Sequence, residues 1–164
     1  MKKIIILLII SVLCSCNTKI KSNTRDHMEI TEIEKQADVD AVKNLISNSF
    51  QDIWSDLDET KILNHYTSDF MLLENGAVWN NNSIVNYMKE RQVDKNEVKR
   101  INKFEYIQTK HNKNSIWIAY NNYANWVKGN DTLREAHWLE SAVAIKENNT
   151  WKLEQLHSTR VLKK

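Results

Sequence analysis

The chain predicts an α+β domain with helices first and an antiparallel meander last. Three observations carry that prediction. From Asp38 onward Val39, Val42, Leu45, Ile46, Phe50, Ile53, Trp54 and Leu57 recur at spacings of three and four, the period of a helix with one buried face. The last third holds four strand-like stretches, residues 101–109, 115–127, 132–145 and 150–162, separated by short polar loops. The final stretch alternates. One side carries Trp151, Leu153, Gln155, His157 and Thr159, and the other Lys152, Glu154, Leu156, Ser158 and Arg160. An apolar face ending in Gln and His suits a strand that lines a pocket.

With 164 residues the chain suffices for one domain with a real core. It has six Trp and five Tyr but no proline and two glycines, so Gly76 and Gly129 mark the expected tight turns. Gly-rich phosphate-cradling loops and Pro-rich recognition segments are excluded by the same counts. The net charge of +2 vanishes once Lys2 and Lys3 are set aside. A near-neutral domain without a basic run is poor material for binding nucleic acid, and none is expected as a partner.

Residues 1–15 read as an export signal. Lys2 and Lys3 give the positive start, and residues 4–13 form an apolar core too short to span a bilayer. The competing reading is an ordinary buried strand. Residues 16–37 are polar without clear periodicity and read as a flexible tether, leaving residues 38–164 as the domain.

Within the domain Asp38 or Asp40 is positioned to cap the first helix, and Asp58 a second, short one carrying Ile62, Leu63 and Tyr66. Trp54 and Tyr66 are the aromatic residues placed to face the sheet, either as pocket wall or as plain core. Residues 70–73 form a short apolar run that turns at Gly76, and residues 77–79 return from it. Asn80 to Ser83 offer caps for a third helix bearing Ile84, Val85, Tyr87 and Met88. Residues 92–100 are charged and read as a solvated connection.

The two last strands are then set in register. A loop over residues 146–149 places Ala144 opposite Trp151, Ala142 opposite Leu153, Glu140 opposite Gln155 and Trp138 opposite His157, with Glu135 opposite Arg160 on the other face. A two-residue turn at Gly129-Asn130 brings Asn121 and Tyr123 to the same inner face; a three-residue loop brings Tyr120 there instead. The expected site is a polar cluster of Glu140, Gln155 and His157, walled by Trp138, Trp54, Tyr66 and Tyr123, with Asn121 nearby. Glu140 and His157 are the candidate catalytic residues, able to move a proton between them and a ligand. The competing reading makes His157 a satisfied core histidine and Glu140 an exposed rim residue. In this register His137 points away from His157, while His65 and His111 stand isolated. No metal site and no cofactor are expected, and no nucleophile motif is present.

Two resemblances add to this. Leu13-Cys14-Ser15-Cys16 resembles the lipobox of bacterial lipoproteins. It implies cleavage before Cys16, lipidation of Cys16, and a place in the cell envelope, the outer membrane being favoured. The alternative is a secreted protein with a free Cys16. The helix ending near Trp54, residues 57–66, Ser68-Asp69-Phe70-Met71-Leu72-Leu73, the short helix at Ser83, Trp151-Lys152-Leu153 and His157-Ser158 together resemble the SnoaL-like branch of the nuclear transport factor 2-like superfamily. That resemblance implies a cone-shaped barrel: a strongly bent antiparallel sheet wrapped around three N-terminal helices, with a pocket at the open end. It also implies a homodimer through the outer sheet face, which Leu139, Val143 and Leu156 would suit. The acid–base set of the superfamily's best-known isomerases and the Asp-Arg-Asp network of its epoxide hydrolases have no evident counterpart here.

Function does not transfer with a fold. Three readings follow: a membrane-tethered domain binding a small, partly apolar molecule; a proton-transfer enzyme of isomerase or dehydratase type using Glu140 and His157; and a noncatalytic structural or partner-binding domain.

Overall fold

The structure, a computed structural model, describes residues 30–92 and 98–162. The export signal, Cys16 and most of the expected tether lie outside them.

Helix α1 spans Glu32–Ser49 and starts earlier than its apolar periodicity suggested. Thr31 caps it, accepting from the Glu34 backbone N–H while the Glu34 carboxylate accepts from the Thr31 N–H, a reciprocal capping box inside the segment expected to be a tether. Asp38 is therefore not the cap. It reaches across to the sheet, accepting from Trp151 Nε1 at 2.9 Å and Lys146 Nζ at 3.1 Å, with His111 Nε2 at 3.2 Å. Burial pushes the Asp38 carboxyl up, but these three partners outweigh it and hold the group below its ordinary range.

The helix then widens into a π-helical turn, Phe50–Ser55, closed by Asp56 N–H donating to Gln51 O. Asp58 caps a 3₁₀ turn, Glu59–Lys61, which runs into α2, Ile62–His65. His65 is not isolated: its Nε2 lies 2.7 Å from Asp52 Oδ2, tying α2 back to the π-helical turn. Strand β1 (Tyr66–Glu74) turns through Asn75 and Gly76, both at positive φ, into β2 (Ala77–Trp79). Helix α3 (Asn81–Gln92) follows, with Asn80 Oδ1 accepting from the Ser83 N–H at its start.

Strands β3 (Lys99–Asn112), β4 (Ser115–Lys128), β5 (Asp131–Glu147) and β6 (Thr150–Arg160) form the meander. The sheet order is β2-β1-β6-β5-β4-β3. The sheet is mixed rather than wholly antiparallel, because β1 runs parallel to β6, and it is bent but not closed. Its inner face packs against α1, the π-helical turn and α2 around Ile46, Ile53, Tyr66, Ile116, Ile118 and Leu153, all fully buried.

The register corrects the sequence-based one in two places. The last hairpin turns through two residues, Asn148 and Asn149, both at positive φ, so that Ala144 pairs with Leu153. Then Val143 pairs with Gln155, leaving Glu154 as the extra residue of a β-bulge. The bulge changes the phase of β6. Leu156, Ser158 and Arg160 face the same side as Trp151 and Leu153, whereas Gln155 and His157 face the other. Between β4 and β5 the two-residue turn at Gly129-Asn130 forms as expected, with Lys128 opposite Asp131. A bulge at Leu133 follows at once, so Tyr120 pairs with Glu140 and Asn122 with Trp138. A fixed alternation from turn to turn fails wherever one unpaired residue intervenes.

Candidate functional site

The inner sheet face turns polar toward one end. Glu140 lies at its centre, 5% exposed. Its two oxygens are held by different strands: Ser158 Oγ donates to Oε1 at 3.0 Å from β6, and Asn122 Nδ2 to Oε2 at 3.2 Å from β4. Asn122 in turn accepts from Asn102 Nδ2 on β3 at 2.6 Å, so one polar row crosses four strands. The Tyr120 hydroxyl is buried beside Glu140 and adds to the downward pull on its carboxyl. Burial raises the Glu140 carboxyl to about 7, against the opposing pull of Ser158, Asn122 and the Arg100 charge.

Arg100 enters from the start of β3. Its guanidinium carbon lies 5.2 Å from the Trp138 ring centre, 5.3 Å from Trp126 and 5.6 Å from Phe50. Its Nε is buried and has no hydrogen-bond partner. Burial pulls the guanidinium pKa down, and the nearby Glu140 opposes that pull. Glu74, at the end of β1, is pushed up by burial, with Ser158 and Arg100 opposing.

These groups line a cavity of about 220 Å³, walled by Phe50, Trp54, Trp79, Tyr87, Trp138 and Leu156. A second hollow of about 280 Å³ lies against it and shares Trp54, Tyr87, Arg100 and Trp138. The π-helical turn presents Phe50 and Trp54 to this space; π-turns within helices gather at functional sites. Leu57, just beyond it, sits at φ 57°, a costly conformation for a branched side chain. Trp54 Nε1 donates to Tyr66 Oη at 3.0 Å. Among the described residues no cluster of His, Cys, Asp and Glu could hold a metal ion.

The expected site residues divide accordingly. Glu140, Trp138 and Trp54 come together at the cavity. Tyr66 is fully buried behind Trp54, stacked on Phe70 at 3.9 Å, and touches the cavity only through that indole. Asn121, Tyr123, Gln155 and His157 lie on the other face of the sheet, moved there by the two bulges. Asn121 and Tyr123 pair there with His137, at 2.8 Å through Asn121 Oδ1 and by ring stacking at 4.4 Å. His157 is exposed, so Glu140 and His157 do not form a proton-transfer pair. Leu156, expected outside, is buried at the cavity floor. Sequence reasoning missed Arg100, Ser158, Asn122, Tyr87 and Glu74. Only the three-residue alternative for the β4–β5 connection, which selects Tyr120, pointed toward the observed face.

No protein-family model and no curated protein matches the chain by sequence. Solved structures do match by shape. A hexachlorocyclohexane dehydrochlorinase, LinA type 3, from Novosphingobium barchaimii superposes with a TM-score of 0.63 at 11% identity, covering 80% of this chain and 92% of its own. A nuclear transport factor 2-like protein from Cytophaga hutchinsonii gives 0.56 at 12% identity over 78% and 98%. Another, of unknown function, from Shewanella oneidensis gives 0.54 at 17% identity over 74% and 98%. The chain has the nuclear transport factor 2-like fold. At these identities the likeness establishes the fold alone, and this fold houses an enzyme as well as proteins whose function is unknown.

Proposed function

We propose that this nuclear transport factor 2-like chain is a lipid-anchored domain of the cell envelope that binds a small, partly apolar molecule in its cone. The observation that carries the reading is the cavity at Glu140: aromatic walls enclosing a few convergent polar groups, the make-up of a small-molecule site. A filled core would have placed apolar side chains where Glu140, Ser158 and Arg100 stand, since burying these groups costs free energy. Thermal-shift screening against a broad metabolite panel tests it. Binding raises the melting temperature in proportion to ligand excess over Kd; a panel that leaves it unmoved counts against the reading.

Anchoring rests on Lys2, Lys3, the apolar residues 4–13 and Cys16. Palmitate-analogue labelling in cells should be lost in Cys16→Ala, and retained label overturns the assignment. Dimerisation is supported by apolar side chains open to solvent, Ile101, Ile107, Leu133 and Leu139. Light scattering should give twice the chain mass; a monomer mass refutes it.

A second reading is favoured by one observation. The Glu140 carboxyl, raised to about 7 and aimed into a cavity, is matched to proton transfer near neutral pH. The reaction would be an isomerisation or elimination with Glu140 alone as base, because His157 is on the far face. Once a substrate is found, Glu140→Gln should abolish turnover while leaving binding in place.

A further inference from the structure

We propose that the outer hollow is an anion-recognition vestibule. It takes ligands that carry a carboxylate or similar anionic group on a planar apolar body, the anion held by Arg91, Arg100 and Arg134 and the body lying among tryptophans. This rests on the small-molecule reading above and names the class of ligand.

The lining carries the argument. Arg91, Arg100 and Arg134 all border the 280 Å³ hollow, together with Trp54, Trp126 and Trp138, and among the described residues no carboxylate side chain borders it. Three guanidinium groups around one hollow repel each other unless something negative joins them. Among the described residues none of the three forms an ion pair with a protein carboxylate. Each is instead laid on aromatic rings: Arg134 on Trp126 at 4.5 Å, Arg91 on Tyr87 at 5.4 Å, and Arg100 between Trp126 and Trp138. Stacking uses the guanidinium face and leaves its N–H edge free to grip an anion in two-pronged fashion.

Two buried donors in this wall lack partners, Arg100 Nε and Ser55 Oγ. An unsatisfied buried donor costs free energy that an anionic ligand oxygen would recover. Two acidic side chains of the described residues nearby, Glu74 and Glu140, border the inner chamber instead. Arg100 stands at the boundary of the two spaces. A bound molecule would thus be oriented, with its anion in the vestibule and its uncharged or hydrogen-bonding end toward Glu140.

Calorimetric titration with 2-naphthoate and its neutral counterpart 2-naphthamide tests this on the full chain. The wild type should bind naphthoate at least tenfold more tightly than naphthamide. Arg134→Met and Arg91→Met, both at exposed positions, should each cut naphthoate affinity severalfold and leave naphthamide within twofold. Arg100→Met should cut it most, with its melting curve confirming that it folds. Equal affinity of the wild type for the two compounds overturns the vestibule and leaves the small-molecule reading standing. So does a preference for naphthoate that survives in Arg91→Met and Arg134→Met alike. Binding of neither compound overturns the vestibule, and the metabolite panel then decides the small-molecule reading.

Discussion

The two ends of the inner sheet face are made by the same strands and differ in what those strands supply. At one end Ile116, Ile118, Ala144, Trp151 and Leu153 meet α1 and fill the space between helix and sheet. At the other, Arg100, Glu140 and Ser158 face the hollow between the π-helical turn and α3, with Asn122 bonded to Glu140. The filled end is held by contact, and its Asp38 carboxylate is ringed by partners. The hollow end keeps charged and polar groups with fewer partners than they can take, as a site prepared for a ligand would. In β6 the change comes between Leu156, still in the buried apolar cluster, and Ser158, both beyond the bulge at Glu154.

That contrast can be broken experimentally. The largest effect is expected at the filled end, where Leu153→Ala should cost about 2–5 kcal/mol in denaturant melts by opening a cavity among rigid neighbours. A loss below about 1 kcal/mol would mean that this end is no better packed than the other.

At the hollow end the sign reverses. Glu140 has its folded pKa raised to about 7 from an ordinary 4.5. Its protonated form therefore supports folding fully below the unfolded pKa, and that support is lost as pH rises through about 7. Glu140→Gln should be the more stable protein by about 3 kcal/mol at pH 8, with little difference at pH 4. Chemical melts across that range check it; a variant less stable at pH 8 would place Glu140 among the structural groups.

Asp38→Asn should cost about 1.5–3 kcal/mol, since a charged acceptor shared by Trp151, Lys146 and His111 is lost. The pH effect is opposite in sense to that of Glu140. The Asp38 pKa is lowered, so its contribution is present above the unfolded value and fades as pH falls through the folded one. The smallest effect belongs to Trp54→Phe, which removes the hydrogen bond to Tyr66 and should cost about 1 kcal/mol. Its ligand affinity should fall by more than its stability does, because Trp54 borders both hollows.

The same contrast explains what could be read from the sequence. Elements were legible because burial repeats: the three-and-four spacing of α1 and the alternation of β4 are written in residue types. The turns at Gly76 and Gly129 were legible because positive φ favours glycine. The site was legible only as far as register persisted. Glu140 and Trp138 lie between the two bulges and were placed correctly with each other. Gln155 and His157 lie beyond one bulge, Asn121 and Tyr123 beyond the other, and all four were placed on the wrong face. A bulge depends on local twist and pairing and leaves no mark in residue type when neither Glu154 nor Leu133 is a glycine. Arg100 was hidden for another reason: it ends a charged run, and such runs are usually solvated.

The course of α1 sets how far the entry to the hollow lies from the start of the helix. The helix begins beside the filled end, where Asp38 meets Trp151, and runs to Trp54 at the rim of the hollow. At roughly 1.5 Å per residue that path is about 24 Å long. The entry to the hollow therefore lies about a helix length from the point where the described chain begins, at the opposite end of the first helix from its Thr31 cap.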